Sequence, residues 1–358
     1  MSHVQVIPAR KQADHWLTAF SQGLLYALGL FVLGYCYLEY RRVGLAWTEW
    51  DLMLITGVVA FIVALALART IPRRMSQTLD RLAKRSVFEL SEEELAQLQQ
   101  KFEERSRLFS RVGAVLVGLV MLVTFLVAYG GIPSHKIPLT VLEVFLGAVA
   151  GYYIGQMIAY GTLGQLSVSE RIPVSPRPGH IDRAAGLKPI GDLYFFQAMV
   201  VAIPCVYLAV WWFLIPLLPE YRDWRSPYLG LLAVALLLEI LSFLLPMWVF
   251  HLIMQQQKVK SLAEADELSK KIIELENRIL RSADARETND LQKQLDFQRE
   301  KYWEIENMPT WPIDATTRRR FTVNNLFLFL PFLSDVVRLS TPWKLFLEAL
   351  QKFLNPAQ

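Results

Sequence analysis

Two cysteines in 358 residues, Cys36 and Cys205, leave no basis for a disulfide framework or a cysteine-built metal site. The chain also has no P-loop, no dinucleotide-binding glycine fingerprint, no HExxH pair and no nucleophile elbow. Those gaps remove the best-marked nucleotide-dependent and hydrolytic chemistries, so no cofactor is implied and a non-enzymatic role is favoured. Acid–base imbalance is small. A net charge of +4 fits the loop lysines and arginines of a membrane protein, and it calls for no nucleic-acid partner. No small-residue cleavage site follows the first apolar run, which is too long for a signal-peptide core and reads as a retained span. No residue-level repeat is present.

What is abundant is apolar sequence, 53% of the chain, gathered into blocks. A bilayer core of ~30 Å needs ~20 helical residues. Blocks of that length predict an all-α, polytopic membrane protein. Six spans are expected, over 17–38, 52–71, 112–129, 138–160, 193–218 and 228–254, and a short seventh over 321–339. Both cysteines fall inside these spans. The basic connections are expected in the cytoplasm by the positive-inside rule. That places the amino terminus in the cytoplasm and the chain in the plasma (cytoplasmic) membrane.

The organisation turns on the stretch from Tyr228 to Asp314. Its apolar part is apolar all round, as a span should be. After Met254 the sequence turns charged, and Leu268, Ile272, Leu275 and Ile279 recur at seam spacing. A turn is expected over 282–290. A return helix follows, with Leu291, Leu295 and Tyr302 on one face. An antiparallel helical hairpin over 255–314 within one chain is the simpler reading of such short arms; an oligomeric coiled coil is the alternative. A cytoplasmic helical segment is expected over 76–111; within it Ser91 followed by Glu94 marks a capping box, opening a helix that runs into the third span. At the carboxyl end, Thr341–Pro342 opens an amphipathic helix over 342–354, fit to lie on a membrane surface.

Several residues are candidates for chemistry. Glu239 lies in the middle of the sixth span. A carboxylate there costs at least ~2.5–3.5 kcal/mol on insertion scales, so it should face protein or water and mark an ion pathway. Glu143 of the fourth span is a second pathway candidate, nearer the outer surface by ~9 Å at ~1.5 Å per residue. Gly147, Gly151 and Gly155 make a face for close helix packing, within or between subunits. The loop 167–192 carries His180, Asp182, Arg183, Lys188 and Asp192, types able to hold a metal or a phosphate. Its Pro178–Gly179–His180 lacks the later Ser-Arg and His–Asp groups that membrane lipid phosphatases need, so a turn-rich loop whose charges meet lipid head groups or the hairpin is favoured over catalysis there, and no metal site is assigned. Trp311, Arg318, Arg319 and Arg320 are expected to anchor the returning chain at the interface, the arginines toward anionic lipid.

The sequence therefore favours an oligomeric membrane protein that conducts ions or relays a signal. Its expected partners are the bilayer, copies of itself and a cytoplasmic protein at the hairpin 255–307. A secondary transporter and an enzyme acting at the loop 167–192 are the alternatives. The topology has a direct test. Cysteines placed at Ser91 and Ser282 should be shielded from an impermeant thiol reagent in intact cells, and one at Ser226 should be labelled. Labelling of Ser91 from outside would invert the orientation.

Overall fold

A computed structural model describes residues 52–129, 137–169, 174–282 and 285–332. Among these the chain is helical, without a strand; one isolated bridge pairs Phe88 with Val174. The helices are α1 (Leu52–Ala68), α2 (Ile71–Lys84), α3 (Glu92–Tyr129), α4 (Ile137–Gly161), α5 (Leu163–Ser169), α6 (Lys188–Leu214), α7 (Arg225–Arg281), α8 (Ala285–Glu306) and α9 (Ala315–Leu328). Two short 3-10 turns, Ile215–Leu217 and Pro219–Trp224, join α6 to α7. Five helical stretches are long and apolar enough to cross a membrane: Ile55–Lys84, Glu92–Val123, Val144–Leu166, Lys188–Leu217 and Tyr228–Arg281. The first expected span, 17–38, and the amphipathic helix expected over 342–354 lie outside the described residues, as does Cys36.

Two long helices follow from continuous helix-forming sequence. The Ser91–Glu94 pair caps α3: Ser91 N donates to Glu94 Oε2 at 2.8 Å, and Glu94 N donates back to Ser91 Oγ at 3.3 Å. From that start α3 runs unbroken into its apolar half, because no Pro or Gly pair interrupts it. Helix α7 likewise carries its apolar part into the charged part without a stop. Its end differs from expectation. Helix α7 runs to Arg281 and α8 begins at Ala285, so residues 285–290 of the expected turn are helix. Arg286 and Glu287 are good helix formers, and Glu287 in the first turn suits the positive end of α8. The loop 167–192 is also shorter than expected, since α5 reaches Ser169 and α6 begins at Lys188. The segment read as 321–339 starts earlier, as α9 at Ala315, and is described only to Phe332.

The chain divides into two units. In the first, α1 packs on the second half of α6 through polar groups. Tyr207 Oη donates to Met53 O at 2.9 Å, and Trp211 Nε1 donates to Thr56 Oγ1 at 2.8 Å. Tyr207 and Tyr228 hydroxyls are 2.8 Å apart.

The second unit holds α2–α5, the start of α6, most of α7, and α8 and α9. Here α3 and α4 cross at glycines. A Cβ on Gly151 would strike the carbonyl of Gly113, one on Gly155 the carbonyl of Phe109, and one on Gly147 the side chain of Met121. The glycine face is thus occupied by α3 of the same chain. The reason is physical: lipid offers no hydrophobic drive between helices, so close backbone contact supplies the attraction. The outward residues of α3 are apolar and exposed, Val115 at 70% and Leu116 at 60%, as a lipid-facing surface requires. Beyond its apolar part, α7 pairs antiparallel with α8. Ala265, Leu268 and Ile305 are buried together with Tyr302 against them, and Arg299 Nη2 donates to Glu276 Oε1 at 2.6 Å.

Gly151→Leu should therefore push α3 and α4 apart and lower stability by about 1–3 kcal/mol, the usual cost of overpacking. Gly230, with nothing near its Cβ position, is the control: Gly230→Leu should melt like the parent. Equal melting of both variants would refute the crossing.

Candidate functional site

The phase of α7 decides where Glu239 points. Leu232, Leu236, Glu239, Phe243, Met247, Phe250 and Met254 are all buried, spaced four, three, four, four, three and four. Leu231, Val234, Leu237, Leu238, Leu241, Leu244 and Leu245 face outward. Glu239 is therefore a member of the inward stripe, fully buried at 0% exposure. Facing it, α9 presents Thr317, Phe321, Asn325 and Leu328 at spacings of four, four and three. Thr317, Asn325 and Leu328 are buried. Phe321 stacks on Phe243 with ring centroids 4.2 Å apart. One turn on, Asn324 Nδ2 donates to Glu239 Oε1 at 3.2 Å, and Asn325 Nδ2 donates to the same oxygen at 3.4 Å. Asn325 Nδ2 also donates to Phe321 O at 3.0 Å. Ser242 Oγ donates to the Glu239 carbonyl at 2.7 Å.

Asn324 and Asn325, which donate to Glu239, are neutral amides. They can steady a carboxylate, and after a half-turn of the terminal torsion they can offer oxygens beside it. The arrangement can hold a proton on the acid or a cation against it. Glu143 belongs to α4, but its side chain lies outside the described residues.

The second group of candidates is tied into the fold. Asp182 accepts from Ala184 N and Gly186 N at 3.0 Å, and from Arg85 Nη1 at 2.7 Å. His180 Nδ1 lies 2.8 Å from its Oδ1, and Lys188 N donates at 3.4 Å. Burial raises the Asp182 carboxyl, but the N–H groups of Gly186 and Ala184 and the nearby His180 hold it below the ordinary range. The turn that brings these donors round uses left-handed backbone at Arg183, Ala185 and Gly186. Lys188 Nζ is engaged with Asp314 Oδ2 at 2.7 Å. Burial raises Asp314 too, but Lys188 and Thr317 bring it down to about 2. Asp192, exposed in the first turn of α6, shares none of the hydrogen bonds around Asp182. Among the described residues, no group of three or more His, Cys, Asp or Glu side chains could hold a metal ion. The structure brings His180 and Asp182 together, and sends Lys188 elsewhere.

This loop is a connector. Ser175 N donates to Val87 O at 2.8 Å on one side. On the other, Gly179, at φ +69, sits against the Glu304 carboxylate where any Cβ would collide. Nearby, His251 Nδ1 is 2.6 Å from Thr310 O, and its ring stacks on Trp311 at 4.3 Å. Arg318, Arg319 and Arg320 are exposed on the first turns of α9. Asn324 and Asn325 read from sequence only as polar residues flanking an apolar run. Their signal was the register of Asn325 with Phe321 and Leu328, four before and three after. No protein-family model, curated protein or solved structure matches the chain.

Asp182→Ala should leave the N–H groups of Ala184 and Gly186 unmatched, costing about 1–3 kcal/mol, and speed tryptic cutting at Arg177 and Arg183. Unchanged cutting would show that the turn holds without the acid. Both aspartates sit below the ordinary 3.8 when folded. Their contribution is fully present above about pH 4 and is lost as pH falls through the lowered folded values, so acid should lower the wild-type melting temperature and move that of Asp182→Ala less.

Proposed function

We propose that this is a multi-pass membrane protein that binds a small cation, a proton included, at Glu239. It either conducts that ion or relays its binding to the helices beyond the membrane. The observation that carries the reading is the burial of an acid at mid-span against two asparagines of α9. An acid with no role is removed from such a place by a single substitution to Leu, whereas here α9 supplies polar partners at the matching depth. In the full reading six helices span, α9 enters the membrane from the cytoplasmic side as the start of a short seventh, and the amino terminus is cytoplasmic. The charged end of α7 with α8 is then the cytoplasmic hairpin, serving as gate or docking site, and copies of the chain assemble.

The transporter reading shares the same acid and differs in the motion it requires. The enzyme reading loses support from the loop, because Asp182, His180 and Lys188 are occupied by structural bonds. Glu239→Gln against Glu239→Leu in reconstituted vesicles tests the proposal. Gln keeps the shape and removes the charge, so it should express normally and lower ion flux or its proton dependence at least ~10-fold, the scale of one lost acid–base group. Wild-type flux in both variants would reduce Glu239 to a bystander and leave a scaffold.

A further inference from the structure

Helix α9 carries three consecutive arginines in its first two turns, Arg318, Arg319 and Arg320, and the reading of Glu239 uses none of them. From Ala315 to Phe332 these are the only charged residues, and no acid is present. All three are exposed, and among the described residues none of their side chains makes a hydrogen bond or an ion pair. The nearest acid in sequence, Asp314, is already engaged by Lys188 Nζ at 2.7 Å. On α7, the partner helix, no acid lies between Glu239 and Glu264.

The depth of the arginines is set by α7. Asn325 meets Glu239 and Phe321 meets Phe243, so the two helices run antiparallel in one register. On that register Arg318–Arg320 lie level with Leu244–Pro246, near the end of the apolar part of α7. Trp248, exposed two residues further on, is of the type that settles at the boundary between lipid and water. The side they face follows from spacing. Arg319, Val323 and Leu326 succeed one another at four and three, and Arg320, Val323 and Phe327 at three and four, so each set shares a face. Val323 is 58% and Leu326 60% exposed, and Phe327 is exposed with them. The arginines therefore stand at one end of an outward apolar face, at the depth where hydrocarbon gives way to headgroups.

This inference goes beyond the ion at Glu239 and rests only on the placement of α9 in the membrane. We propose that Arg318, Arg319 and Arg320 bind the phosphate groups of anionic phospholipids in the cytoplasmic leaflet, with acyl chains lying along Val323, Leu326 and Phe327. Charge selects the class. A zwitterionic lipid brings its own cation, whereas an anionic lipid supplies the net negative charge that three unpaired guanidinium groups lack. The guanidinium selects phosphate, because its planar fork donates two parallel N–H bonds and it is less strongly hydrated than an ammonium group. Consecutive positions on a helix point in different directions, so the site is an arc of headgroups and not one pocket. The turns that follow carry Phe321, Asn324 and Asn325. Headgroups that hold the arginines thus hold α9 at the depth where those residues meet α7.

The test uses the purified full chain in neutral detergent micelles doped with phosphatidylglycerol or with phosphatidylcholine of the same acyl chains. Phosphatidylglycerol should raise the melting temperature over phosphatidylcholine. It should also slow tryptic cutting at Arg318–Arg320 more than at Arg281 and Arg286 beside the hairpin turn. Arg318→Gln, Arg319→Gln and Arg320→Gln together should raise the phosphatidylglycerol fraction that gives half the shift at least ~10-fold, the scale of three arginines near an anionic surface. The corresponding three lysine replacements keep the charge and should keep at least half the shift, which separates lost charge from faulty folding. Neutralising Lys270, Lys271 and Arg278 of the hairpin with Gln removes as much charge and should leave the shift in place. Equal melting in the two lipids overturns the site, as does an equal shift in the wild type and the α9 Gln variant, or the same loss in the hairpin variant. Inorganic phosphate reproducing the shift in phosphatidylcholine micelles would also overturn it, because a free anion would then suffice. Loss of vesicle flux in Glu239→Gln with no lipid effect overturns this site and keeps conduction. A lipid effect with wild-type flux in both Glu239 variants keeps this site and removes conduction.

Discussion

A carboxylate kept away from lipid is the constraint on which the rest of this architecture depends. Lipid cannot hydrogen-bond Glu239, and an isolated charge in hydrocarbon is costly. The acid must therefore lie on the inward stripe of α7, and that fixes the rotation of the whole helix. Fixing α7 orients α9 against it, with Asn324 and Asn325 reaching Glu239 and Phe321 stacked on Phe243 one turn away. That pairing in turn sets the segment between α8 and α9. The chain leaves α8, turns at Met308–Ile313 with Trp311 on His251, and enters α9 with Asp314 capping Thr317 at 2.8 Å.

The packing follows the logic of a solvent that is itself apolar. Burial of leucine earns nothing between helices when lipid is the alternative. Contacts are instead made by glycines, where α3 crosses α4, and by hydroxyls and amides, as between α1 and α6. The exposed surfaces of α3 and α7 are leucine and valine, the reverse of a water-soluble helix. Outside the apolar stretches the ordinary rules return. There α7 and α8 bury Leu268, Ile305, Leu291 and Leu295 and turn charge outward.

Much of this was legible because periodicity and length are local properties. The five helices, the run of α7 past Met254, the capping box at Ser91 and the glycine spacing could all be read without knowing what touches what. What was not legible depended on pairing between distant segments. Asn325 meets Glu239 across 86 positions, and Arg85 meets Asp182 across 97. The loop candidates stayed ambiguous in the sequence for a related reason. His180, Asp182 and Lys188 are types that metal and phosphate sites use, but the same types satisfy a turn with left-handed residues. Only the donors around Asp182 distinguish the two. The turn after α7 was drawn too long because Ala285–Asp290 has polar composition, and polarity alone does not separate a loop from the exposed face of a helix.

Helix α7 links the acid to the hairpin. From Glu239 to Arg281 it is one continuous rod of about 60 Å at 1.5 Å per residue. A rod cannot pass on a change of charge by local rearrangement; it can only tilt, rotate or bend. Bending has one favoured point. Pro246 has no N–H for the carbonyl four residues earlier, that of Ser242, so the ladder is weakest there. Ser242 lies one turn from Glu239, and Pro246 packs beside Gly161 of α4. The weak point thus falls between the acid and the hairpin, against a neighbouring helix with no side chain in the way. Beyond it, His251 and Lys258 hold the α8–α9 connection through the carbonyls of Thr310 and Met308. Any bend at Pro246 must carry that connection with it, and α9 is the helix that supplies the asparagines. The acid, its partners on α9 and the connection held by His251 and Lys258 are therefore joined through α7 in one closed ring of contacts.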